Sequence, residues 1–207
     1  IRDNRIFELY ILLNYLFLKK QHGYTFVDRK SAENQFLKKI DTINNGNWRN
    51  AFISLSSLGL INKKSNLPTK AGEKLAYKTY AEFAIKMYHS YLYPYFDELL
   101  ECFNEKNVIT ATNQDFRNII TNKYKKRDVL FLTESKGRYI SSWLNIFRDD
   151  YGIIKFKSRN SRRELVYNPS DLNDVAFTKQ IKKNSIAEKY IERYHKLIRE
   201  EVIWCVI

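Results

Sequence analysis

Apolar residues recur at three- and four-residue spacing near the start of the chain. Ile6, Leu9, Leu13, Leu16 and Phe17 form one stripe, which predicts an amphipathic helix ended by Gly23. A second helical stretch spans Ser31 to Ile40, with Phe36, Leu37 and Ile40 on one face. Asn44-Asn45-Gly46 predicts a turn. Asn47 then starts a third helix that turns Ala51, Phe52, Leu55 and Leu58 inward. Gly59, in Leu58-Gly59-Leu60-Ile61, is placed as the left-handed residue that stops this helix, and Leu60 and Ile61 begin a short strand. Residues 62–66 are polar and basic. Leu67-Pro68-Thr69 leads into the next element, where Thr69 caps a helix carrying Glu73 in its first turn.

From Thr69 to Phe103 the pattern predicts one long helix that Pro94 must kink, since proline lacks an N–H and its ring crowds the preceding turn. The aromatic run from Tyr88 to Phe96 reads as core or an interdomain spine, with base stacking as the alternative. Residues 104–113 are polar and mark a domain boundary. The second half then repeats the layout more faintly. Phe116, Ile119 and Ile120 mark a helix, and Ser135 to Asp149 a further one with Ile140, Trp143, Leu144 and Phe147 inward. Tyr151-Gly152-Ile153-Ile154 echoes Leu58-Gly59-Leu60-Ile61. Alternation from Ile154 to Lys157, a turn at 158–161 and a return from Arg162 to Tyr167 predict a basic hairpin. Asn168-Pro169-Ser170-Asp171 caps a last helix running to the C-terminus. The predicted division is residues 1–104, a first domain with a long connecting helix, and 105–207, a second domain with the C-terminal helix.

A length of 207 residues suits one large domain or two small ones, and 44% apolar residues suffice for a packed core. Six Gly and three Pro favour helices over a many-stranded sandwich. Cys102 and Cys205 form no metal-binding spacing with His22, His89 or His195, and nothing resembles a secreted disulfide scaffold, so a reducing cytosol is the expected compartment. The most apolar run, Tyr10–Leu18, is too short to span a bilayer and lacks the features of a signal peptide. The chain opens on Ile1 rather than Met, which leaves open that it is one piece of a longer protein. The formal net charge of +13 changes the picture most: it points to a polyanionic partner, against the alternative that AT-rich coding alone supplies the lysines.

The order helix, helix, turn, helix, strand, basic loop, helix resembles the winged-helix superfamily, the helix-turn-helix variant with a β-wing. Ser54 to Ala76 (SLSSLGLINKKSNLPTKAGEKLA) carries the likeness. It implies a mainly α fold with short β-wings: two tandem modules joined by a long kinked helix. It also implies that the third helix of each module enters the major groove of double-stranded DNA while the wing touches the flanking backbone. In the first module the outward residues are Asn47, Arg49, Asn50 and Ser54, with Lys63 and Lys64 on the wing. In the second they are Lys136, Arg138, Ser141, Asn145 and Arg148, with Lys155, Lys157, Arg159, Arg162 and Arg163 on the wing. Asn pairs with adenine and Arg with guanine through two hydrogen bonds each, and wing cations suit phosphates. The blander alternatives are a solvated charged hairpin and a protein-interaction module.

An enzymatic alternative starts from 129–136 (VLFLTESK), an apolar strand ending in Glu134-Ser135-Lys136, as in PD-(D/E)XK nucleases, where a carboxylate holds Mg²⁺ and the lysine helps activate water. The expected upstream aspartate is poorly supplied: Asp115 follows no proline and starts a helix, and Glu134 also suits a helix N-terminus. No phosphate-binding, dinucleotide, hydrolase or zincin motif is present. We therefore expect no catalysis from this chain alone, and no metal or cofactor. The layout, in LPTKAGEKLA and RYISSWLNIFRDDYGIIKF…LVYNP, is similar to the recognition regions of FokI-like and AlwI-like type II restriction endonucleases. That likeness implies a recognition module in restriction or bacterial defence, with a catalytic domain or partner subunit elsewhere. Plasmid replication initiators, transcription regulators and condensin accessory subunits share tandem winged helices and remain alternatives. Oligomeric state is left open.

Overall fold

The computed structural model describes residues 4–40, 48–105, 110–111, 115–116, 118, 136–156 and 163–204. The protein is mainly helical with short antiparallel strands. It divides into two compact units: residues 3–83 with 187–207, and residues 84–186. The expected division at 104/105 differs on both sides, because the C-terminal helix belongs to the first unit and the aromatic run to the second.

The first unit is built around α1 (Ile6–Gln21). The sequence stripe predicts an amphipathic helix, but Phe7, Tyr10, Ile11, Leu12 and Tyr15 are buried as well, so α1 is enclosed on nearly every side. Packed on it are α3 (Trp48–Ser57), α4 (Lys70–Ala76) and α9 (Glu188–Trp204). Tyr190 and Tyr194 of α9 stack on Phe7, with ring centroids 6.4 and 6.5 Å away. Glu8 is fully buried at the start of α1, where its Oε2 accepts hydrogen bonds from the Arg5 N–H and the Asn4 amide, both at 3.0 Å.

The predicted second helix is shorter than its pattern. α2 (Arg29–Gln35) starts at Asp28, whose carboxylate accepts the Ser31 N–H at 2.8 Å, and a 3₁₀ turn (Leu37–Lys39) follows. The tighter turn lets Phe36, Leu37 and Ile40 all bury, with Phe36 stacked 5.0 Å from Tyr15. The predicted turn at Asn44-Asn45-Gly46 lies outside the described residues.

The expected continuous helix from Thr69 to Phe103 is divided. α4 is capped by Thr69, whose hydroxyl accepts the Gly72 N–H at 3.2 Å. A new start at Thr79, where Glu82 accepts the Thr79 N–H at 2.8 Å, opens α5 (Tyr80–Met87). A π-helical turn (Tyr88–Leu92) then precedes α6 (Tyr93–Glu105). This widened turn ends just before Pro94, where the ring would crowd an ordinary α-helical carbonyl.

In the second unit Tyr88, Phe96, Phe147, Tyr151 and Phe177 form a buried edge-to-face cluster; Phe96 and Phe147 have centroids 4.3 Å apart. The Tyr151 hydroxyl, pushed well above the usual tyrosine range by burial, donates to the Ala84 carbonyl at 2.8 Å. Tyr88 and Phe96 of the aromatic run are thus core, whereas Tyr91 is half-buried and Tyr93 exposed. Beside this core lie α7 (Lys136–Ile146), a π-helical turn (Phe147–Tyr151) and a three-stranded sheet. Its strands β1 (Thr110–Ala111), β2 (Ile154–Phe156) and β3 (Arg163–Leu165) are ordered β1-β3-β2, all antiparallel. The single expected last helix is three elements: a 3₁₀ turn capped by Asn168 (Pro169–Asp171), α8 capped by Asn173 (Asp174–Asn184), and α9. The break falls at Ser185, whose hydroxyl donates to the Asp149 carbonyl at 2.9 Å.

Candidate nucleic-acid interface

Both units attach a hairpin to the end of a helix through the same backbone frame. In the first, Gly59 takes φ +70°, and the N–H groups of Leu60 and Ile61 reach back to the Leu55 carbonyl at 2.9 and 3.4 Å. In the second, Gly152 takes φ +63°, and its own N–H and that of Ile153 reach back to the Phe147 carbonyl, Ile153 at 2.8 Å. These bonds satisfy carbonyls that a helix end leaves open, and glycine takes the left-handed conformation without a Cβ clash. The hairpins then pair alike. Ile61 bridges Pro68, and the Thr69 N–H donates to Leu60 at 3.0 Å; Ile154 pairs with Leu165, and the Val166 N–H donates to Ile153 at 2.7 Å.

A further segment is hydrogen-bonded to each hairpin. In the second unit it is β1, paired with β3. In the first it is Val27, whose N–H donates to the Ser65 carbonyl at 3.0 Å and whose carbonyl accepts the Asn66 side-chain amide at 2.9 Å. In the turn, Asn62 Oδ1 accepts the N–H groups of Lys64 and Ser65 at 2.8 and 3.1 Å, and Asn66 takes φ 56°. Asparagine suits both roles: its short side chain closes the turn locally, and it tolerates positive φ. The wing is therefore held at its base, its tip and its flank.

On α3, Trp48, Ala51, Phe52 and Leu55 face the core, while Arg49 is exposed and Asn50 and Ser54 are half-buried. Lys63 and Lys64 are exposed on the hairpin, and no ion pair occupies them or Arg49 among the described residues. Asn47 lies outside the described residues. Ile53, absent from the sequence-derived set, is 49% exposed one helical turn beyond Arg49. Its period-3.6 position among inward neighbours is the signal that marks it as outward. An apolar side chain there suits a thymine methyl.

The outer stripe of α7 is arranged differently. Ser141, Asn145 and Arg148 fall on one stripe of α7 and its π turn, all half-buried. Lys136 and Arg138 belong to the first turns of α7; their side chains, with Lys157, Arg159 and Arg162, lie outside the described residues. Arg148 and Arg163 depart from the expected outward position, and Lys155, though exposed, is paired. Arg148 binds the fully buried Asp149 through two hydrogen bonds, Nε to Oδ1 at 2.6 Å and Nη2 to Oδ2 at 2.9 Å. Lys155 lies 3.2 Å from Glu164. Arg163 is only 7% exposed, with its guanidinium carbon 3.5 Å from the centroid of the Phe156 ring. Phe156 is directly opposite Arg163 in the hairpin register, and Arg148 approaches the same ring at 4.3 Å. Burial, and next the charge of Arg148, pull the Arg163 guanidinium below its ordinary pKa.

Glu134 lies outside the described residues, Asp115 belongs to a helical stretch and Lys136 opens α7, so the nuclease alternative gains no assembled site. Among the described residues no cluster of three His, Cys, Asp or Glu side chains could hold a metal ion, and no helix is long and apolar enough to cross a membrane. Comparison with protein families, with curated proteins and with solved structures returned no match.

Proposed function

We propose that both units are winged-helix modules and that the chain binds double-stranded DNA. α3 and α7 are the recognition helices, and the hairpins 61–68 and 154–165 are the wings. The observation that carries the reading is the repeated frame. Twice, a helix with a polar outer stripe is stopped by a left-handed glycine and joined to a hairpin that bears cations, with a further segment hydrogen-bonded to that hairpin. This repeat supports a winged-helix reading, in which the helix enters the major groove and the hairpin meets the backbone. A net charge of +13 supplies the attraction to phosphate.

Arg49, Asn50, Ile53 and Ser54 of α3 present two hydrogen-bonding side chains, an apolar contact and a small hydroxyl, the inventory needed to read base edges. Binding is therefore sequence-preferring, and the chain acts as the recognition module of a restriction or other DNA-processing protein, with catalysis supplied by a separate domain or subunit. Selection from a randomised duplex library tests this: retained duplexes should converge on a shared motif. Retention without convergence would remove the base-reading role of α3, and no retention would remove the DNA reading altogether.

A further inference from the structure

The arrangement of Arg148, Phe156 and Arg163 asks for an occupant. Arg163 is 7% exposed, yet its Nε and Nη1 have no hydrogen-bond acceptor. Two buried guanidinium nitrogens without an acceptor are costly, and here the group shares one ring with a second guanidinium. Asp149 is engaged by Arg148 and Glu164 faces Lys155, and no ion pair reaches Arg163 among the described residues. Both guanidinium carbons lie within 4.3 Å of the same centroid, so they are within about 8 Å of each other, a span that one phosphate bridges through charge-assisted hydrogen bonds on both sides.

We propose that Arg148 and Arg163, set around Phe156 at the junction of α7 and its hairpin, form a binding site for a single phosphate group. The site takes a phosphodiester of the duplex backbone, and in this form it rests on the DNA-binding reading. The anion enters beside Arg148, whose side chain is 28% exposed, and turns the Arg163 guanidinium from the ring towards itself. Asp149 holds Arg148 in place, and Phe156 positions both arginines in the free protein. The site thereby fixes the hairpin and the end of α7 on the same backbone step, which sets register and carries no base information.

The test uses the full chain with ¹⁵N-labelled arginine, the Nε–H signals being assigned with Arg148→Lys and Arg163→Lys. Inorganic phosphate and a 20-base-pair duplex are titrated separately. The Arg163 signal should shift saturably with both. Arg163→Gln, checked for folding by circular dichroism, should bind the same duplex with a log–log salt slope shallower by about 0.9, the loss of one phosphate. Lack of a shift with either probe overturns the site. A shift with phosphate but not duplex assigns a free phosphate and overturns the backbone role. If Arg163→Gln keeps the wild-type slope while Lys63→Ala lowers it, the site fails and the DNA reading stands; absence of duplex binding by the wild type removes the DNA reading independently.

Discussion

The hairpins at 61–68 and 154–165 share one backbone frame and treat their cations in opposite ways. In the first, the turn is closed by Asn62 and Asn66 through their own side chains, and Lys63 and Lys64 are left exposed. In the second, Phe156, Asp149 and Glu164 engage Arg163, Arg148 and Lys155. Basic residues on a wing therefore do not have one function. An asparagine-closed turn leaves its lysines exposed, whereas an aromatic residue opposite an arginine draws the guanidinium into the protein.

The largest expected effect separates the two glycines that stop the helices. A Cβ at Gly152 would lie 2.4 Å from Asn184 Cβ and 2.5 Å from its carbonyl carbon, while a Cβ at Gly59 meets nothing within 4 Å. Gly59→Ala should cost about 1–2 kcal/mol, the left-handed penalty alone. Gly152→Ala adds a clash with backbone and should cost about 3 kcal/mol or more. Urea unfolding of both variants measures the difference, and equal losses would mean that the second frame is looser than described.

Base contacts come next. Arg49→Ala or Asn50→Ala should cost about 1–3 kcal/mol on the selected site and relax preference at one base position. Scanning single-base variants of that site reads this out; a loss that is uniform across sequences would move these residues to the phosphate class. The wing lysines should behave in that uniform way. Lys63→Ala with Lys64→Ala should weaken every duplex on the order of tenfold at low salt and flatten the log–log salt slope by about 1.8.

The smallest effect concerns His195, which lies 5.7 Å from Tyr10 and whose Nε2 is buried without a hydrogen-bond partner. Burial, then Arg199, lowers its pKa below the ordinary 6.5. The folded state thus resists protonation that the unfolded chain accepts, so stability should fall as pH drops below about 6.5 and level off beneath the folded pKa. His195→Gln should flatten the curve below about pH 6.5. An unchanged slope in that variant would place the acid sensitivity elsewhere.

Much of the frame was legible in the sequence because it rests on local rules. Gly59 and Gly152 mark left-handed stops, Thr69 and Asn168 mark caps, and the alternation Ile154-Lys155-Phe156 marks a strand. What was not legible depends on partners distant in sequence. The stripe on α1 names one apolar face but not the neighbours that enclose the others, and the pattern of 188–204 gives a helix without saying that Tyr190 and Tyr194 return to Phe7. Pro94 signals a disturbance, but not the widened turn before it. The inward Arg163 is a different case. It shares a face with Leu165 by the two-residue strand period, so the signal was present and was outweighed by its charge.

The central claim is that these paired frames present cations to duplex DNA. Fluorescence anisotropy of the full chain on a labelled random-sequence duplex, repeated from low to physiological salt, tests it most directly. If about six phosphates are contacted, affinity should fall on the order of 10³-fold across that range, with log Kd linear in log salt. Undetectable binding at low salt, or an affinity independent of salt, would contradict the account.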